Sequence, residues 1–488
     1  QSVWATNGNG SWGTFASGFG ANWGANQGSA GLDAAFADVD TATFNNTGLT
    51  AGASATVTLD GAAPSLKSLT FNTTGGGFTL AAGTGGALTF KSNTGTASLT
   101  STAGTHTVTT AAALASNLAV AVSANSLALN GVLSGAGSLS KSGNGLLTLG
   151  GANTFTGGAT VTGGKLALGH ASALGSAAAT VNGGELDLGG FTVANAVTLT
   201  TGTLSNGTLS NTTLAVAAGT VSANLAGSTA VTKTGAGTAT LAVANTYAGA
   251  TAVNGGTLAV GNAAALGTST VTVATGATLD LGGLDVTGAT LLLNGGAIAN
   301  ATAYSGSVGF AAGITSFGAA DLTGLAANVE VRVAAGQTLN TTGLTRGIDF
   351  RGGSLANLGS YAGVLDVRGD LDATATGLST GAINLTSAGN ITLGNTASAA
   401  AINYQGGSLS GANFTGDLNI VGAVTVAGVV SAGTFKVDAG DTLTLGVNGV
   451  SANIKLLGGT VDFAGRTSTS SVAYSSGTIA NGANFTGD

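Results

Sequence analysis

A long internal repeat constrains the fold of this chain more than any other feature of its sequence. The segment Leu139–Gly190 returns as the segment Val231–Gly283, at an offset of 92 residues that becomes 93 near its end. Self-similarity over such a length indicates an architecture in which one structural unit stacks upon the next. Any fold assigned to the chain must therefore hold two successive copies of the same unit.

Within each copy, pairs of apolar residues recur about every 20 positions. Each pair encloses one small or polar residue and is followed by glycine. In the first copy the pairs are Leu147/Leu149, Leu166/Leu168 and Leu186/Leu188. A period of two is the pattern of a strand with one buried face. The leucines should therefore point inward, and Glu185 and Asp187 outward.

These patterns predict an all-β fold, a parallel β-solenoid whose coils take roughly 20 residues each. The 86 glycines and the single proline suit tight corners and uninterrupted ladders. At that coil length, 488 residues give on the order of 24 coils. A strand spacing of ~4.8 Å would then make a rod somewhat over 100 Å long.

A longer motif, G-x-G-x-L-x-L-x-G-x-N-T-[FY]-x-G-x-x-x-V-x-G-G-x-L, runs through both copies. Its most specific positions are Asn153, Phe155 and Gly157 in the first copy and Asn245, Tyr247 and Gly249 in the second. The motif resembles the autotransporter-associated β-strand repeat of bacterial passenger proteins, over about residues 135–300. The resemblance implies a right-handed β-helix in which these six residues are structural. It also implies a secreted protein of a Gram-negative bacterium, with its signal peptide removed.

Composition excludes several classes of protein. The chain has 12 Lys+Arg and a net charge of −7, so no basic patch is available to neutralise the phosphates of a nucleic acid. It contains no cysteine, which excludes disulfide and thiol chemistry. No apolar run reaches ~18 residues, so we expect no membrane-spanning segment.

The chain divides into three predicted regions. Residues 1–60 contain all three tryptophans, Trp4, Trp12 and Trp23, and should form an N-terminal cap over the first coil. A sugar-binding role for these tryptophans is the alternative. The best helix candidate also lies here, at Leu32–Asp38.

Residues 61–300 should form the solenoid that carries the passenger-type repeats. Residues 301–488 should continue it with a second repeat type, in which Tyr404–Asp417 returns as Tyr474–Asp488. We expect the chain to be truncated within this second repeat, or to be completed there by another chain.

The tripeptide Arg368-Gly369-Asp370 matches the short motif of integrin ligands and is a candidate adhesion site. Adhesion would require a protruding loop that offers a guanidinium and a carboxylate to a partner. The flanking segments read instead as a strand, a tight turn and another strand, so a chance match is the alternative.

Catalytic groups are scarce. His106 and His170 have no acid nearby in sequence for a triad and should be plain surface residues. Because many secreted β-helices cleave polysaccharides, we consider a glycosidase pair such as Asp187 and Asp280. These carboxylates would lie about four or five coils apart, roughly 20 Å, which is too far for them to act together. The chain is therefore predicted not to be an enzyme.

Two acidic clusters could hold Ca²⁺ through carboxylate oxygens, namely Asp38 with Asp40 and the segment 366–372. The regular acidic residues of a calcium-binding repeat are missing. We expect solvated turn residues and no cofactor or metal.

Function then follows from architecture. The sequence predicts a non-enzymatic cell-surface rod that acts as an adhesin, a stalk or a matrix element of a biofilm. Self-association or a surface glycan would provide its partners. The alternative is a filament subunit that stacks end to end, as open heterologous interfaces do.

Overall fold

The computed structural model describes most of the chain. The described residues are 2–3, 9–12, 15–16, 19–20, 40–45, 52–306, 308–310, 331–333, 338–341, 347–356, 358, 361, 363–373, 382–386, 388–393, 401–410, 416–426, 434–446, 453–469, 471–484 and 486–487. They fold into two compact units. The first is Gln1–Thr270 with Thr287–Ala289, and the second is Val271–Val286 with Thr290–Asp488.

The first unit consists of parallel ladders, apart from one short antiparallel pair, β3 with β4. Its strands are β1 Ser2–Val3, β2 Gly10–Ser11, β3 Phe15–Ala16, β4 Phe19–Gly20, β5 Thr41–Asn45, β6 Ser54–Thr58, β7 Ser65–Leu66, β8 Ser68–Asn72, β9 Gly77–Ala81, β10 Leu88–Phe90, β11 Ala97–Ser101, β12 Thr105–Val108, β13 Ala112–Leu114, β14 Leu118–Val122, β15 Ser126–Leu129, β16 Leu133–Ser134, β17 Leu139–Ser142, β18 Leu146–Leu149, β19 Ala159–Val161, β20 Lys165–Leu168, β21 Ala179–Asp187, β22 Thr192–Val193, β23 Val197–Ser205, β24 Thr208–Ser210, β25 Thr213–Val216, β26 Gly219–Val221, β27 Asn224–Ala226, β28 Ala230–Lys233, β29 Thr238–Leu241, β30 Thr251–Val253 and β31 Gly256–Val260.

The second unit is also built from parallel ladders. Its strands are β32 Thr270–Ala274, β33 Ala277–Asp280, β34 Thr290–Asn294, β35 Ala297–Ala299, β36 Val308–Phe310, β37 Val331–Val333, β38 Thr338–Asn340, β39 Ile348–Phe350, β40 Ser354–Ala356, β41 Leu365–Val367, β42 Asp370–Ala373, β43 Ile383–Leu385, β44 Asn390–Leu393, β45 Ile402–Tyr404, β46 Ser408–Ser410, β47 Asp417–Ile420, β48 Ala423–Val426, β49 Thr434–Asp438, β50 Thr442–Leu445, β51 Asn453–Asp462 and β52 Ser471–Ala480.

Apart from β3 and β4, the strands pair in parallel with the equivalent strand of the coil before or after them. Strand β17, for example, pairs with β14 on one side and with β19 on the other. Successive coils thus stack strand upon strand, which is the arrangement of a β-solenoid, and the predicted fold class is confirmed. No α-helix occurs among the described residues. No described segment is a helix that could cross a membrane.

Burial follows the alternation in the sequence. Strand β14 alternates between buried and half-buried side chains along its whole length. The leucines of the repeat point inward as predicted, since Leu166, Leu168, Leu186 and Leu188 are all buried. Stability in such a stack accumulates from contacts between neighbouring coils.

The coils are less uniform than the sequence predicts. Residues that are hydrogen-bonded between successive coils are 30 residues apart at Ser68 and Ser98, 20 apart at Asn153 and Leu133, and 16 apart at Asn403 and Asn419. The described part of the chain forms about 18 turns. The expected count of about 24 coils refers to the whole chain and stays a prediction.

The N-terminal end of the solenoid encloses a cluster of aromatic rings. Trp12 is fully buried, with its ring centroid 5.7 Å from that of Phe44. Phe44 in turn lies 5.5 Å from Phe71 and 4.9 Å from Phe78. Burial removes Trp12 from any exposed sugar-binding surface. Trp4, Trp23 and the helix candidate at 32–38 lie outside the described residues, and the cap as a whole stays a prediction.

Candidate functional site

The repeat asparagines bridge three successive coils. The Asn153 side chain accepts a hydrogen bond from the Leu133 backbone N–H at 2.8 Å and donates one to the Ala173 carbonyl at 2.7 Å. Asn245 makes the same pair of bonds, to Leu225 and Ala265, at 2.8 and 2.7 Å. A buried amide is favourable only when its donor and acceptor are both satisfied. The motif therefore needs asparagine here, to bond backbone groups of the coils on either side.

The aromatic position that follows fills the interior of its coil. Phe155 and Tyr247 are both fully buried. The Tyr247 hydroxyl lies 2.8 Å from the Thr251 hydroxyl, and the Thr251 hydroxyl donates to Ser269 at 3.2 Å. Burial raises the pKa of Tyr247, against a smaller opposing effect of these hydrogen bonds. The motif accepts phenylalanine or tyrosine because a small hydroxyl network satisfies the phenol.

The motif glycines lie where coils approach most closely. A Cβ on Gly157 would lie 2.4 Å from the Gly137 carbonyl carbon and from the Ser138 backbone nitrogen. A Cβ on Gly249 would lie 2.2 Å from the Thr229 carbonyl oxygen. Both contacts are with backbone, which cannot turn aside as a flexible side chain can.

Alanine at position 157 should therefore lower the stability of the first unit by about 2 kcal/mol, because the overpacked backbone must shift. Gly163 provides a matched control in the same coil, since its nearest atom would be 3.7 Å from an added Cβ. Gly163→Ala should change stability by less than about 0.5 kcal/mol. Thermal unfolding of the two variants measures the difference. Equal melting temperatures would show that the contact at Gly157 does not restrict the coil.

A buried lysine in each repeat is the feature that the sequence analysis missed. Lys141 is 0% exposed, and its ammonium donates to the carbonyls of Ser142 at 2.9 Å, Gly143 at 2.8 Å and Gly163 at 3.1 Å. All three of its N–H groups are thus used, with no carboxylate involved. The last of these bonds joins one coil to the next.

Lys233 repeats this arrangement in the second copy. It is also fully buried and donates to Thr234 at 2.7 Å and to Gly235 and Gly255 at 2.9 Å each. Burial lowers the pKa of Lys141 to about 8 and lowers that of Lys233. The strand alternation could have indicated this burial. Each lysine lies two residues after an inward-pointing apolar residue of the same strand, so its side chain points inward as well.

The candidate adhesion tripeptide forms a corner. Strand β41 ends at Val367 and β42 begins at Asp370, with Arg368 and Gly369 between them. The Arg368 side chain lies within ion-pair distance of Asp349 at 3.3 Å and of Asp366 at 3.1 Å. Asp370 accepts a hydrogen bond from the Asn390 side chain at 2.5 Å. Both charged groups of the tripeptide therefore have partners within the chain.

The two histidines differ from each other. His170 is exposed, as expected, and accepts a hydrogen bond from the Ser172 N–H at 3.0 Å. The expectation of a surface residue was wrong for His106, which is fully buried and stacks on Phe71 with ring centroids 4.6 Å apart. His106 lies two residues before Val108 in β12, so both side chains point to the same, inward face of the strand.

The surroundings of His106 hold it neutral. Its Nδ1 accepts from the Phe78 N–H at 3.0 Å, and its Nε2 lies 2.8 Å from the Ala103 carbonyl, to which it donates. Burial lowers the pKa of His106, with a smaller opposing effect from Ala103. Both ring nitrogens are occupied by backbone groups, which leaves neither for proton transfer to a substrate.

The carboxylates considered for catalysis form turns instead. Asp187 accepts from the Gly189 N–H and from the Asn206 side chain, both at 2.8 Å, and Lys165 lies 2.5 Å from its other oxygen. Burial raises the pKa of Asp187, but these hydrogen bonds outweigh it and leave the pKa below its ordinary value. Asp280 accepts from Gly282 at 2.9 Å and from Asn300 at 2.8 Å.

The described part of the chain contains no group of three or more His, Cys, Asp or Glu side chains that could hold a metal ion. Asp38, one of the residues considered for calcium, lies outside that part.

Comparison with known proteins identifies the repeat. A family model described as Passenger-associated-transport-repeat matches residues 139–168 and 231–260. These stretches contain the buried lysines and the motif residues described above. No curated protein and no solved structure matches the chain. The passenger-type repeat predicted from the sequence is thereby confirmed in two copies.

Proposed function

We propose that this chain, which carries two passenger repeats on a parallel β-solenoid, is a secreted surface protein of a Gram-negative bacterium. Its role is structural or adhesive, as an adhesin, a stalk or a matrix element, and it performs no catalysis. The observation that supports this most is the match of the passenger repeat to residues 139–168 and 231–260. The buried polar side chains of the repeats bond neighbouring coils to each other, which fits a protein whose role is to present a surface.

The outer face of the repeats supports the proposal in chemical terms. The outward positions of neighbouring coils include Ser140, Thr160 and Thr180, which stack in register. Their hydroxyls make no side-chain hydrogen bond within the described part of the chain. A surface with so few charges, 6% of all residues, attracts few small ions and suits contact with neutral glycans or with other copies.

Surface display tests the adhesive role. The chain is displayed on the surface of a bacterium that does not otherwise produce it. Attachment of the cells to glycan-coated plates and clumping between cells are then measured. We expect a several-fold rise in one of these over cells that display an unrelated solenoid. No rise in either would contradict an adhesive role. Asp370→Asn tests whether the Arg368–Asp370 corner contributes to attachment.

Self-assembly into filaments is the second candidate function, favoured by an exposed strand. Tyr404 in β45 is 2% exposed because Ile420 of β47 pairs over it. Its counterpart in the second copy, Tyr474 in β52, is 60% exposed, and Ile479 on the same strand is 48% exposed. A further parallel strand, from this protein or from another chain, would cover these side chains as β47 covers Tyr404.

Electron microscopy of chain 1–488 over a wide range of concentrations separates the two candidates. Separate particles at every concentration support the adhesin or stalk. Fibres that lengthen with concentration, and that Tyr474→Asp abolishes, support the filament.

A further inference from the structure

Three arginines of the second unit converge on one buried carboxylate. Asp349 is 3% exposed, and its Oδ2 lies 2.9 Å from Arg351 Nε and 3.3 Å from Arg332 Nε. Its Oδ1 lies 3.3 Å from Arg368 Nε. Strand pairing creates this cluster, because Arg332 pairs with Asp349 across β37 and β39, and Asp349 pairs with Asp366 across β39 and β41.

Asp349 lies on the Nε side of each guanidinium, and Asp366 also lies 3.1 Å from Nη2 of Arg368. The side chains of Arg332, Arg351 and Arg368 are 30%, 49% and 45% exposed. Arg332 and Arg351 reach Asp349 through Nε, and their Nη groups have no partner within the described part of the chain. These donors therefore belong to side chains that Asp349 already holds in place.

Two of the arginines occupy neighbouring positions on adjacent coils. Arg351 follows Phe350, Arg368 follows Val367, and Phe350 pairs with Val367. The Arg368 N–H donates to the Phe350 carbonyl at 2.8 Å, so the two residues lie on adjacent coils, ~4.8 Å apart. Like charges in such a position repel unless an anion lies between them. Asp349 supplies that anion on the inner side only.

The cluster has a surplus of positive charge. Its three guanidinium groups face two carboxylates, those of Asp349 and Asp366. This surplus occurs in a chain whose net charge is −7. Guanidinium groups bind oxyanions through paired N–H donors, and an anchored guanidinium loses less freedom when it does so.

We propose that the Nη groups of Arg332 and Arg351, with Arg368 adding positive charge beside them, form a binding site for the oxyanions of an acidic polysaccharide, either sulfate or carboxylate groups. A polymer is the expected ligand because repeated acidic groups can engage stacked arginines together. Nucleic acid is disfavoured because sequence-independent binding to it relies on many contacts along the phosphate backbone, and this small cluster supplies few. The inference deepens the proposed surface role, and rests on it for the polysaccharide to be met outside the cell.

Direct binding to the whole chain tests this site. The probes are dextran sulfate and polygalacturonate, with neutral dextran as the control, and calorimetry measures Kd at low salt and near 0.15 M salt. We expect at least one acidic polymer to bind, neutral dextran not to bind, and salt to weaken the interaction. The tighter of the two polymers identifies sulfate or carboxylate as the preferred group.

Matched variants locate the site. Arg351→Gln should raise Kd at least tenfold, while Arg466→Gln, an exposed arginine of the same unit outside the cluster, should leave Kd unchanged. Arg351→Lys keeps the charge without the fork of donors and should give an intermediate Kd. If the Arg351→Gln variant does not fold, the Arg351→Lys variant tests the site by itself. A Kd of Arg351→Lys equal to that of the native chain would then overturn the assignment of the site.

Three results would overturn the inference. They are no binding of either acidic polymer at low salt, equal binding by the Arg351→Gln and Arg466→Gln variants, and binding of a short DNA duplex as tight as that of the polysaccharides. None of these would bear on cell attachment in the display experiment. Failure of this site and failure of the surface role are therefore distinguishable.

Discussion

Methionine at position 141 should lower the stability of the first unit by about 2–4 kcal/mol. The change removes an ammonium that is costly to bury, which on its own would stabilise the fold. It also leaves the carbonyls of Ser142, Gly143 and Gly163 without their donor, at about 1–3 kcal/mol for each unsatisfied buried group. We expect the three unpaired carbonyls to outweigh the relief. Thermal and urea unfolding of the whole chain measure the loss.

Lys165 provides the control in a neighbouring strand. It is paired with Asp187 and Glu185 at the surface, where its side chain is 39% exposed. Exposed ion pairs contribute little, so Lys165→Met should cost less than about 1 kcal/mol. Lys233→Met should match Lys141→Met, and the two losses should add because the sites share no partner.

The lysine also makes stability depend on pH. Its pKa is lowered by burial to about 8, from an ordinary value near 10.5. Between these values the unfolded chain binds more protons than the folded one, so stability rises with pH. This gain in folding stability is complete above about pH 10.5 and has been lost once the pH falls to about 8. The free energy of unfolding should therefore rise more steeply with pH in the native chain than in the Lys141→Met variant between about pH 8 and 10.5.

Two outcomes would count against the assigned role of Lys141. If Lys141→Met is as stable as the native chain, the three carbonyls do not need the ammonium. If the two proteins show the same slope between pH 8 and 10.5, the lysine reaches solvent in the folded state.

Aspartate at position 168 should disrupt its coil and cost about 3 kcal/mol or more. Leu168 is buried at the end of β20, where it pairs with Leu149 of β18. A carboxylate in this interior has no donor to compensate its lost hydration, and the leucine's own packing is lost as well. Since each coil supports its neighbours, limited proteolysis should cut first near residues 149–188.

Thr160→Asp is the matched outward control. Thr160 lies half-buried on β19, between Ser140 and Thr180 of the adjoining coils. Its carboxylate would face solvent, so the change should stay within about 1 kcal/mol and leave protease resistance intact. Similar proteolysis of the Leu168→Asp and Thr160→Asp chains would contradict the inward orientation of Leu168.

The sequence predicted the fold because strand alternation and glycine corners are local signals. Leu186 and Leu188 are buried as their spacing indicated, and Glu185 points outward. Lys141 and His106 were missed for a common reason. Their alternation placed them inward, but their chemistry argued for the surface. Only the backbone carbonyls and amides of adjacent coils explain how each is satisfied, and those partners cannot be read from one strand.

The arginine cluster could not be predicted at all. Arg332 and Asp349 are 17 residues apart, and what joins them is the pairing register of their strands. Register depends on the length of each corner, which varies from coil to coil. The boundaries at 60 and 300 stay predictions, because composition changes there without a matching change in the ladders.

Corner length has a further consequence for how such a chain evolves. Hydrogen-bonded side chains of adjacent coils are separated by as few as 16 and as many as 30 residues in sequence. The strands that carry these side chains are nevertheless paired in register. The ladders fix the strands and leave the corners free to grow or shrink. Recombination between the similar segments 139–190 and 231–283 would add or remove whole coils and keep the remaining register. The length of the protein is thus a heritable variable that can change without redesign of its core.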